Sequence, residues 1–453
     1  MVIELLFGRH LLKEEINHQL DVTMISNLIV ENGFQEKTES QISCNRCGET
    51  NKQKRQVAPC VCKRECYYCT NCLQMGKVKK CSSLFSVAEP NRMSCNQSNL
   101  LTWRGVLSQQ QSMASKAIKK AIDLNTTHLI WAVAGAGKTE MIFAGIEKAL
   151  NQGKRVCIAS PRVDVCLELA PRLKNAFGHT TVALLYGSSE ESYQYTSLVV
   201  ATTHQLMRFK EAFDVLIIDE IDAFPFHSDR GLHFAVNKAV KKEKTLIYLT
   251  ATPSKEMQKA ITNNQLVATI LPARYHGYPL PEPTTNWVGD WRKQLSLNKI
   301  PKKLKQILAK LIHNERRFLL FVPKIELMEK LAYLIQECFP TQLFLSVYSA
   351  DEKRKESVLK MRAERLSGLL STTILERGVT FRDIDVLVLG AEDQTFTEAS
   401  LVQIAGRVGR HPEFPKGEVL FLHYGQTRAM KGAIKQIKTM NQLAKKKGLL
   451  NEC

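Results

Sequence analysis

From Leu100 onward, short runs of branched apolar residues alternate with longer stretches of helical periodicity, and the whole chain has 453 residues. Such alternation is typical of βαβ units, in which helices connect the parallel strands of one sheet. We predict strands at His128–Val133, Arg155–Ala159, Thr181–Leu185, Ser197–Ala201, Val215–Ile218 and Thr245–Leu249, and a second series at Arg317–Val322, Gln342–Val347, Gly368–Thr372, Val386–Leu389 and Glu418–His423. The proline-rich stretch from Pro272 to Pro283 lies between the two series and is typical of a linker. The predicted fold class is therefore α/β, with two lobes in tandem.

One strand of the first series ends in a group of carboxylates. Val215–Ile218 is continuously apolar, which indicates burial on both faces, and Asp219, Glu220 and Asp222 follow it directly. Open parallel sheets bind ligands at the carboxyl ends of their strands. An ordinary core strand that runs into a solvated acidic turn would have the same pattern. The choice between the two interpretations depends on the other motifs of the chain.

A glycine-rich turn connects the first predicted strand to a helix predicted over Glu140–Leu150. The turn reads Ala134-Gly135-Ala136-Gly137-Lys138-Thr139, followed by Glu140. Small residues allow backbone N–H groups to approach a triphosphate at the positive end of a helix. We expect residues 134–140 to bind ATP, with Lys138 on the β- and γ-phosphates and Thr139 as a Mg²⁺ ligand. Asp219 then becomes the second Mg²⁺ ligand, and Glu220 the residue that polarises the attacking water.

The second series carries a candidate cation for the charge that develops on the γ-phosphate. The sequence Gln403-Ile-Ala-Gly406-Arg407-Val-Gly409-Arg410 places two arginines about one helical turn apart. Arginine binds phosphate bidentately and stays charged, so Arg407 and Arg410 are candidate catalytic residues together with Gln403. Two surface arginines on a helix would look the same in isolation. We expect Asp222 to connect to Gln403 or Arg407.

Nine of the 13 cysteines lie between Cys44 and Cys95. Cys44 and Cys47 form one Cys-x-x-Cys pair and Cys69 and Cys72 another, and this spacing is typical of a structural zinc site with four thiolates. We predict that these four cysteines bind zinc. Four additional cysteines of the stretch, Cys60, Cys62, Cys66 and Cys81, leave a different ligand set open.

The formal net charge of +19 indicates an acidic partner, for which nucleic acid is the first candidate and an anionic membrane surface the second. Because no apolar run approaches eighteen residues, we expect no transmembrane helix. Met1 to Glu15 places charged residues after a short apolar run and is not expected to be a secretory signal. Met430–Leu450 is a lysine-rich amphipathic helix, for which docking on the second lobe is one interpretation and contact with membrane or DNA the other.

Taken together, the motifs resemble the series found in superfamily 2 helicases. The matching segments are Gly135–Thr139, Asp219–Asp222, Leu249–Pro253 and Gln403–Arg410. The resemblance implies two RecA-like lobes with ATP between them, and gives Thr250 and Thr252 the role of coupling the ATP state to the DNA site. Gln111 in Leu107-Ser-Gln-Gln-Gln111 resembles the glutamine that reads adenine. The segments Pro161-Arg162, Thr202-Thr203-His204 and Thr372-Thr373 occupy places where helicases touch the DNA backbone.

Finer details resemble the ComFA family of competence ATPases. They are Trp131–Glu140, Asp219–Pro225, Thr372–Thr380 and the two Cys-x-x-Cys pairs ahead of Trp103. The resemblance implies an ATP-driven single-stranded DNA translocase that powers DNA import during natural transformation. It also implies ATP, Mg²⁺ and Zn²⁺ as cofactors, the membrane DNA-uptake channel and other competence proteins as partners, and a cytoplasmic location at the inner face of the membrane.

The expected organisation has four parts. They are a lead-in of no assigned chemistry over residues 1–40, a zinc module over 41–99, lobe 1 over 100–275 and lobe 2 over 276–453. A primosome-type repair helicase and a non-enzymatic zinc-containing nucleic-acid-binding protein remain the alternative functions. Direction of movement, duplex unwinding and oligomeric state stay open, with a homo-oligomer among the candidates.

Overall fold

The structure is a computed structural model that describes residues 2–16, 24–25, 27–38, 41–91, 93, 100–187 and 193–451. The sequence also predicts a linker in the Ser/Asn/Gln-rich segment around Ser94–Asn99, which lies outside the described residues. By its internal contacts the chain divides into two units, one of residues 1–131 and 138–270 and the other of residues 132–137 and 271–453. None of the described helices combines the length and apolarity needed to cross a bilayer.

The N-terminal module is built from short strands, which lie at β1 (Leu11–Leu12), β2 (Ile29–Asn32), β3 (Phe34–Thr38), β4 (Gln41–Cys44), β5 (Arg55–Val57), β6 (Tyr67–Cys69) and β7 (Ser83–Ser86). A three-stranded sheet has the order β1-β7-β2, and β3–β4 and β5–β6 form antiparallel pairs. β1 and β2, which lie within the expected lead-in over residues 1–40, therefore share a sheet with β7, which follows Cys81.

The N-terminal module packs on lobe 1 within the same unit. The four cysteines of its two Cys-x-x-Cys pairs share a hydrophobic core with Phe226 and Leu232 of lobe 1. Glu15 accepts hydrogen bonds from Arg46 of the module at 2.8 Å and from Arg208 of lobe 1 at 2.7 Å. A carboxylate from the expected lead-in thus joins the module to lobe 1.

Lobe 1 contains the first predicted series of strands, now bounded as α1 (Gln109–Leu124), β8 (Thr127–Ala132), α2 (Lys138–Asn151), β9 (Val156–Ser160), α3 (Val163–Ala176), β10 (Val182–Leu185), β11 (Leu198–Thr202), β12 (Phe213–Asp219), α4 (Arg230–Ala239), β13 (Val240–Thr250), α5 (Lys255–Thr262) and β14 (Ala268–Leu271). The strand order is β10-β11-β9-β12-β13-β8-β14, and the pairs from β10 through β8 are parallel. The four residues Val215–Ile218 are fully buried, which explains their unbroken apolar run.

Lobe 2 contains the second series, as β15 (Thr284–Trp287), α6 (Trp291–Ser296), α7 (Lys302–His313), β16 (Arg317–Phe321), α8 (Ile325–Cys338), β17 (Phe344–Val347), α9 (Arg354–Arg362), β18 (Gly368–Ser371), β19 (Ile384–Leu389), α10 (Glu398–Ala405), β20 (Val419–His423) and α11 (Arg428–Lys446). Its strands pair in parallel in the order β15-β20-β19-β16-β18-β17. The terminal helix α11 buries Met430, Ile437 and Met440 and packs on α10. The parallel sheets of both lobes confirm the predicted fold class.

Candidate nucleotide and zinc sites

The glycine-rich turn, here called the phosphate loop, follows β8 and leads into α2 at Lys138. Gly135 and Gly137 have φ angles of +85° and +74°, a region that side-chain-bearing residues rarely adopt. The two glycines are therefore required by the backbone path. Because the first turn of α2 carries N–H groups without partners in the helix, the loop can bind an anion there.

Lys138 and Asp219 meet at the carboxyl edge of the sheet. The Lys138 ammonium lies 2.9 Å from Asp219 Oδ1, and the two side chains are 20% and 18% exposed. Burial opposes the charge of Lys138, but the carboxylates of Asp219, Glu220 and Asp222 outweigh it and raise the lysine pKa above its ordinary value. The side chain is therefore a permanent cation beside the carboxylates.

Strand order explains this meeting of distant residues. β13 lies between β8 and β12, and all three run parallel, so their carboxyl ends share one edge. Lys138 beyond β8, the carboxylates after β12 and the Thr-Ala-Thr segment after β13 consequently lie together. Open parallel sheets bind their ligands at this edge, beyond the carboxyl ends of the strands.

Glu220 has an unusual backbone conformation. Its φ angle is +55°, in the left-handed region, and its N–H donates to Asp219 Oδ1 at 2.9 Å. Non-glycine residues in this region are strained and cluster at functional sites. The local hydrogen bond fixes the orientation of Asp219 relative to the following peptide.

Asp222 is held by both threonines of the Thr-Ala-Thr segment. Its two carboxylate oxygens accept hydrogen bonds of 2.6 Å each from the hydroxyls of Thr250 and Thr252. Trp131, at the end of β8, donates its indole N–H to the carbonyl of Ala251 at 3.0 Å. The sequence had suggested a connection of Asp222 to Gln403 or Arg407, and that connection stays a prediction.

The residues predicted to hold Mg²⁺ fit that ion in their chemistry. Asp219 offers carboxylate oxygen and Thr139, in the first turn of α2, offers a hydroxyl oxygen. Magnesium prefers such hard oxygen ligands and commonly uses one or two carboxylates together with the phosphates of its substrate.

Two other residues of the predicted nucleotide site already have partners. The side-chain oxygen of Gln111 accepts a hydrogen bond from the Ser108 N–H at 2.9 Å and completes the capping box of α1. Glu140, in the first turn of α2, forms an ion pair with Arg172. Their assignment to adenine and phosphate binding stays a prediction.

The candidate catalytic residues of lobe 2 lie at and after α10. Gln403 is buried, and Arg407 is 2% exposed. The Arg407 guanidinium donates to the carbonyls of Glu376, at 2.9 Å, and Val379, while Arg410 donates to the carbonyl of Gly406 at 2.9 Å. In this structure Arg407 thus braces the loop after β18, and its action on phosphate stays a prediction.

The segments expected to touch DNA follow the carboxyl ends of strands. Arg162 comes after β9, and Thr202 to His204 come at and after β11, which is the neighbour of β9 in the sheet. In lobe 2, Thr372 and Thr373 follow β18 in the same way. Hydroxyls and arginine suit contact with backbone phosphates.

The sequence offered no signal for a role of the proline-rich segment after Leu271. The N–H of Tyr275 donates to the carbonyl of Gly135 at 3.0 Å, and the N–H of Val133 donates to the carbonyl of Leu271 at 3.1 Å. What the composition indicated to be a linker therefore supports the backbone of the phosphate loop.

The four cysteines predicted to bind zinc converge. The Cys44 and Cys72 sulfurs lie 3.7 Å apart and those of Cys47 and Cys69 lie 3.6 Å apart, and all four are buried. Four thiolates around zinc at about 2.3 Å have sulfur–sulfur edges of about 3.8 Å. The turn after β4 and the 3₁₀ helix Thr70–Met75 after β6 present one pair each. These residues, the first cysteine cluster, fit a closed structural zinc site.

Three family models match successive segments of the chain. Residues 1–86 match the model of the Competence protein ComFA N-terminal domain, residues 104–255 that of the Type III restriction enzyme, res subunit, and residues 299–412 that of the Helicase conserved C-terminal domain. The DEAD-box helicase Mss116 bound to ssRNA and UDP-BeF aligns with a TM-score of 0.55 at 14% identity, over 76% of this chain and 83% of that chain. That likeness shows the fold, two RecA-like lobes.

Two relatives cover almost the whole chain. Competence protein ComFA of Bacillus subtilis (strain 168) is 46% identical over 448 residues, which are 97% of this chain and 95% of that protein. Competence protein ComFA of Streptococcus pneumoniae (strain ATCC BAA-255 / R6) is 41% identical over 408 residues, which are 90% of this chain and 92% of that protein. With helicase-type ATPase lobes behind a cysteine-containing N-terminal domain, the chain belongs to the ComFA family of competence proteins.

Proposed function

We propose that this chain is an ATP-driven single-stranded DNA translocase that powers DNA import during natural transformation. The observation that carries the proposal is the cluster of Lys138, Asp219 and Glu220 at one sheet edge, next to the hydrogen-bonded unit of Asp222 with Thr250 and Thr252. The first group is suited to ATP hydrolysis. The unit of Asp222 with the two threonines lies at the same sheet edge, where neighbouring strand ends are suited to bind DNA.

ATP hydrolysis would use the residues as follows. The N–H groups of the loop and the Lys138 ammonium bind the phosphates, and the ammonium leaves Asp219 for the more strongly charged triphosphate. Thr139 and Asp219 would hold Mg²⁺, which supplies neutralisation of phosphate charge. Glu220 orients and polarises the attacking water, and Arg407 or Arg410 of lobe 2 is the proposed cation for the transition state.

Movement on DNA would depend on the contact between Asp222 and the two threonines. Because Asp222 follows Glu220 by two residues, a shift of the catalytic turn on hydrolysis changes the hydrogen bonds of Thr250 and Thr252. Arg162, and Thr202 to Thr203, at neighbouring strand ends, would bind backbone phosphates without reading bases. A translocase on DNA of any sequence requires such contacts.

The first cysteine cluster is proposed to hold one structural zinc ion. Its closed, buried arrangement leaves no position for a substrate, so the metal would stabilise the N-terminal module and not take part in hydrolysis. Cys69→Ser should lower the zinc content and destabilise the module. Cys157→Ser, at a buried cysteine of lobe 1, is the matched control and should retain the zinc.

The test of the motor is ATP hydrolysis measured with single-stranded DNA, duplex DNA and RNA. We expect strong stimulation by single-stranded DNA and loss of that stimulation in Lys138→Ala. Lys148→Ala changes a lysine of the same helix that pairs with Asp123, and it should behave as wild type. If single-stranded DNA does not stimulate hydrolysis, the motor proposal fails, and a non-enzymatic nucleic-acid-binding protein takes its place.

A primosome-type repair helicase predicts a different profile, with preference for branched duplexes and strand separation. Absence of unwinding with retained stimulation by single-stranded DNA favours translocation for import. We propose that the chain works at the cytoplasmic face of the membrane with the DNA-uptake channel and other competence proteins. Its net charge of +19 supports contact with DNA or with anionic lipid at that place.

A further inference from the structure

Four cysteines outside the first cluster form a group of their own. They are Cys60, Cys62, Cys66 and Cys81, and their sulfur atoms all lie within 4.8 Å of one another. The sulfur of Cys81 lies 3.5 Å from that of Cys60 and 3.7 Å from that of Cys66. These two distances are close to the edge of about 3.8 Å expected for a zinc tetrathiolate, and well above the length of about 2.0 Å of a covalent disulfide. We call this group the second cysteine cluster.

Backbone hydrogen bonds, and not chance proximity, bring the four residues together. Strands β5 and β6 form a hairpin whose loop contains Cys60 and Cys62 and ends at Cys66, and the Ala58 N–H donates to the Cys66 carbonyl at 3.3 Å. The segment that carries Cys81 is joined to β6, since the Lys80 N–H donates to the Tyr67 carbonyl at 2.8 Å. The fourth cysteine is therefore held against the hairpin from a distant point in the sequence.

The Cys60-x-Cys62 step lies in a tight turn. The Lys63 N–H donates to the Cys60 carbonyl at 3.0 Å, and Lys63 itself has a φ angle of +56°. A turn of this kind presents two nearby thiols to one point, as metal knuckles do. A lysine in the left-handed conformation is strained, so a compensating interaction of the loop is expected.

Apolar burial does not supply that interaction. Val61 in the loop is 93% exposed and Val57 at its base is 62% exposed, while Cys66 is buried. Small segments that cannot bury enough apolar surface are held by disulfides or metal ions. The convergent side chains of this loop are thiols, and thiolates select zinc over magnesium or calcium.

We propose that Cys60, Cys62, Cys66 and Cys81 hold a second structural Zn²⁺, so that the N-terminal module contains two zinc ions. Binding replaces four S–H bonds by four Zn–S bonds, releases up to four protons to solvent and involves no change of oxidation state. The resulting centre carries a net charge of −2. The exposed Lys63 and Arg64 in the same loop are placed to offset it.

The two sites lie at opposite ends of β6, with Cys66 directly before the strand and Cys69 as its last residue. Cys66 ends the loop of the second cluster and Cys69, at the end of β6, belongs to the first cluster. The second ion would therefore fix the hairpin on which the first cluster depends. Loss of the second site should loosen the first, whereas both are expected to be independent of ATP hydrolysis.

The test uses the full chain, purified under reducing conditions and analysed for metal by mass spectrometry. We expect two zinc ions per wild-type chain, one in the Cys60→Ser/Cys81→Ser variant and two in the control Cys338→Ser, whose cysteine ends α8 of lobe 2 and belongs to neither cluster. Lys138→Ala should also retain two, which separates this proposal from the failure of the motor. A single zinc in both the wild type and the double variant would overturn the second site.

Thiol labelling keeps the proposal testable if the double variant does not fold. Cys60 and Cys62 are half-buried and Cys81 is exposed, so without a metal they should react with iodoacetamide in the native chain. We expect protection of all three until a chelator removes zinc, and then labelling. Rapid labelling of the zinc-loaded wild type contradicts the proposal. So does a count below 13 thiols in denaturant with a chelator present, because the missing thiols are then in disulfides.

Discussion

Glu220 offers a test that separates the backbone strain of this residue from the catalytic role proposed for its carboxylate. Its φ angle of +55° places a glutamate in the left-handed region, at the residue proposed to polarise water. We compare Glu220→Ala with Glu220→Gly, two variants that both lack the carboxylate and differ only by a Cβ atom. Any difference in stability between them therefore reports the backbone conformation and not the lost charge.

The size of the effect follows from the backbone. A non-glycine residue in the left-handed region is destabilised by about 1–2 kcal/mol. Glycine avoids this strain but loses about 0.5–1 kcal/mol to the greater freedom of its unfolded chain. The net expectation is that Glu220→Gly is more stable than Glu220→Ala by about 0.5–1 kcal/mol, or about 1–4 °C in melting temperature at about 2–4 °C per kcal/mol.

The control pair is Glu168→Ala and Glu168→Gly, at an exposed position inside α3. There the order reverses, because glycine inside a helix is less stable than alanine by about 1 kcal/mol. Melting temperatures are measured on all four variants, together with hydrolysis stimulated by single-stranded DNA. If Glu220→Gly melts below Glu220→Ala, the strain argument is refuted.

Activity should fall equally in both Glu220 variants. Loss of a general base lowers turnover by about 10²–10⁴-fold, equivalent to about 3–5 kcal/mol of transition-state stabilisation. Both Glu168 variants should hydrolyse ATP at the wild-type rate below their melting temperatures. Wild-type turnover in either Glu220 variant would remove this residue from the mechanism.

Three further changes probe contacts that hold the site and the module. Thr250→Val removes a fully buried hydroxyl 2.6 Å from Asp222 and should lower the free energy of unfolding by about 1.5–3 kcal/mol, and also the stimulation of hydrolysis by DNA. Thr250→Ser keeps a hydroxyl and should retain the stability and the stimulation. A Thr250→Val variant with unchanged stability and stimulation would contradict the role of this hydrogen bond. Glu89→Gln breaks an ion pair with Arg155 whose side chains are 2% and 1% exposed, and should cost about 3–5 kcal/mol in urea unfolding. Burial lowers the pKa of His10 to about 4 from 6.5, so stability from its neutral form is present above pH 6.5 and lost as pH falls towards 4, by about 3 kcal/mol. His10→Gln should flatten that part of the pH profile at equal zinc content, and an unchanged slope would show that other groups control it.

The two strands of the lobes that the sequence missed have a common physical reason. β14 and β15 lie at the edges of their sheets and are only partly buried, so neither has the continuous apolar run that marks a central strand. β13 begins at Val240, five residues before the predicted start at Thr245. The sequence pattern did not show this first part of the strand, because it contains lysines and a glutamate. Central strands such as β12 were predicted to within two residues, since burial on both faces leaves a clear pattern.

The sequence alone identified the residue groups that carry the local chemistry. The glycines of the phosphate loop, the carboxylates after β12 and the two Cys-x-x-Cys pairs depend on residue type and short spacing. In the structure the glycines follow β8, Glu220 and Asp222 follow Asp219 at the end of β12, and the four cysteines form one group. The α/β class followed in the same way, because strand and helix periodicities are local properties.

Long-range partners were decided by the tertiary structure. Lys138 meets Asp219 across 81 positions of sequence only because β13 lies between β8 and β12. The hydrogen bonds from Thr250 and Thr252 to Asp222 likewise depend on which strands become neighbours. The same holds for the position of Cys81 beside the β5–β6 loop. Strand order depends on the packing of the whole sheet, and many orders are compatible with one pattern of strands and helices. The sequence therefore identified the candidate residues of the site, and the tertiary fold determined which of them contact one another.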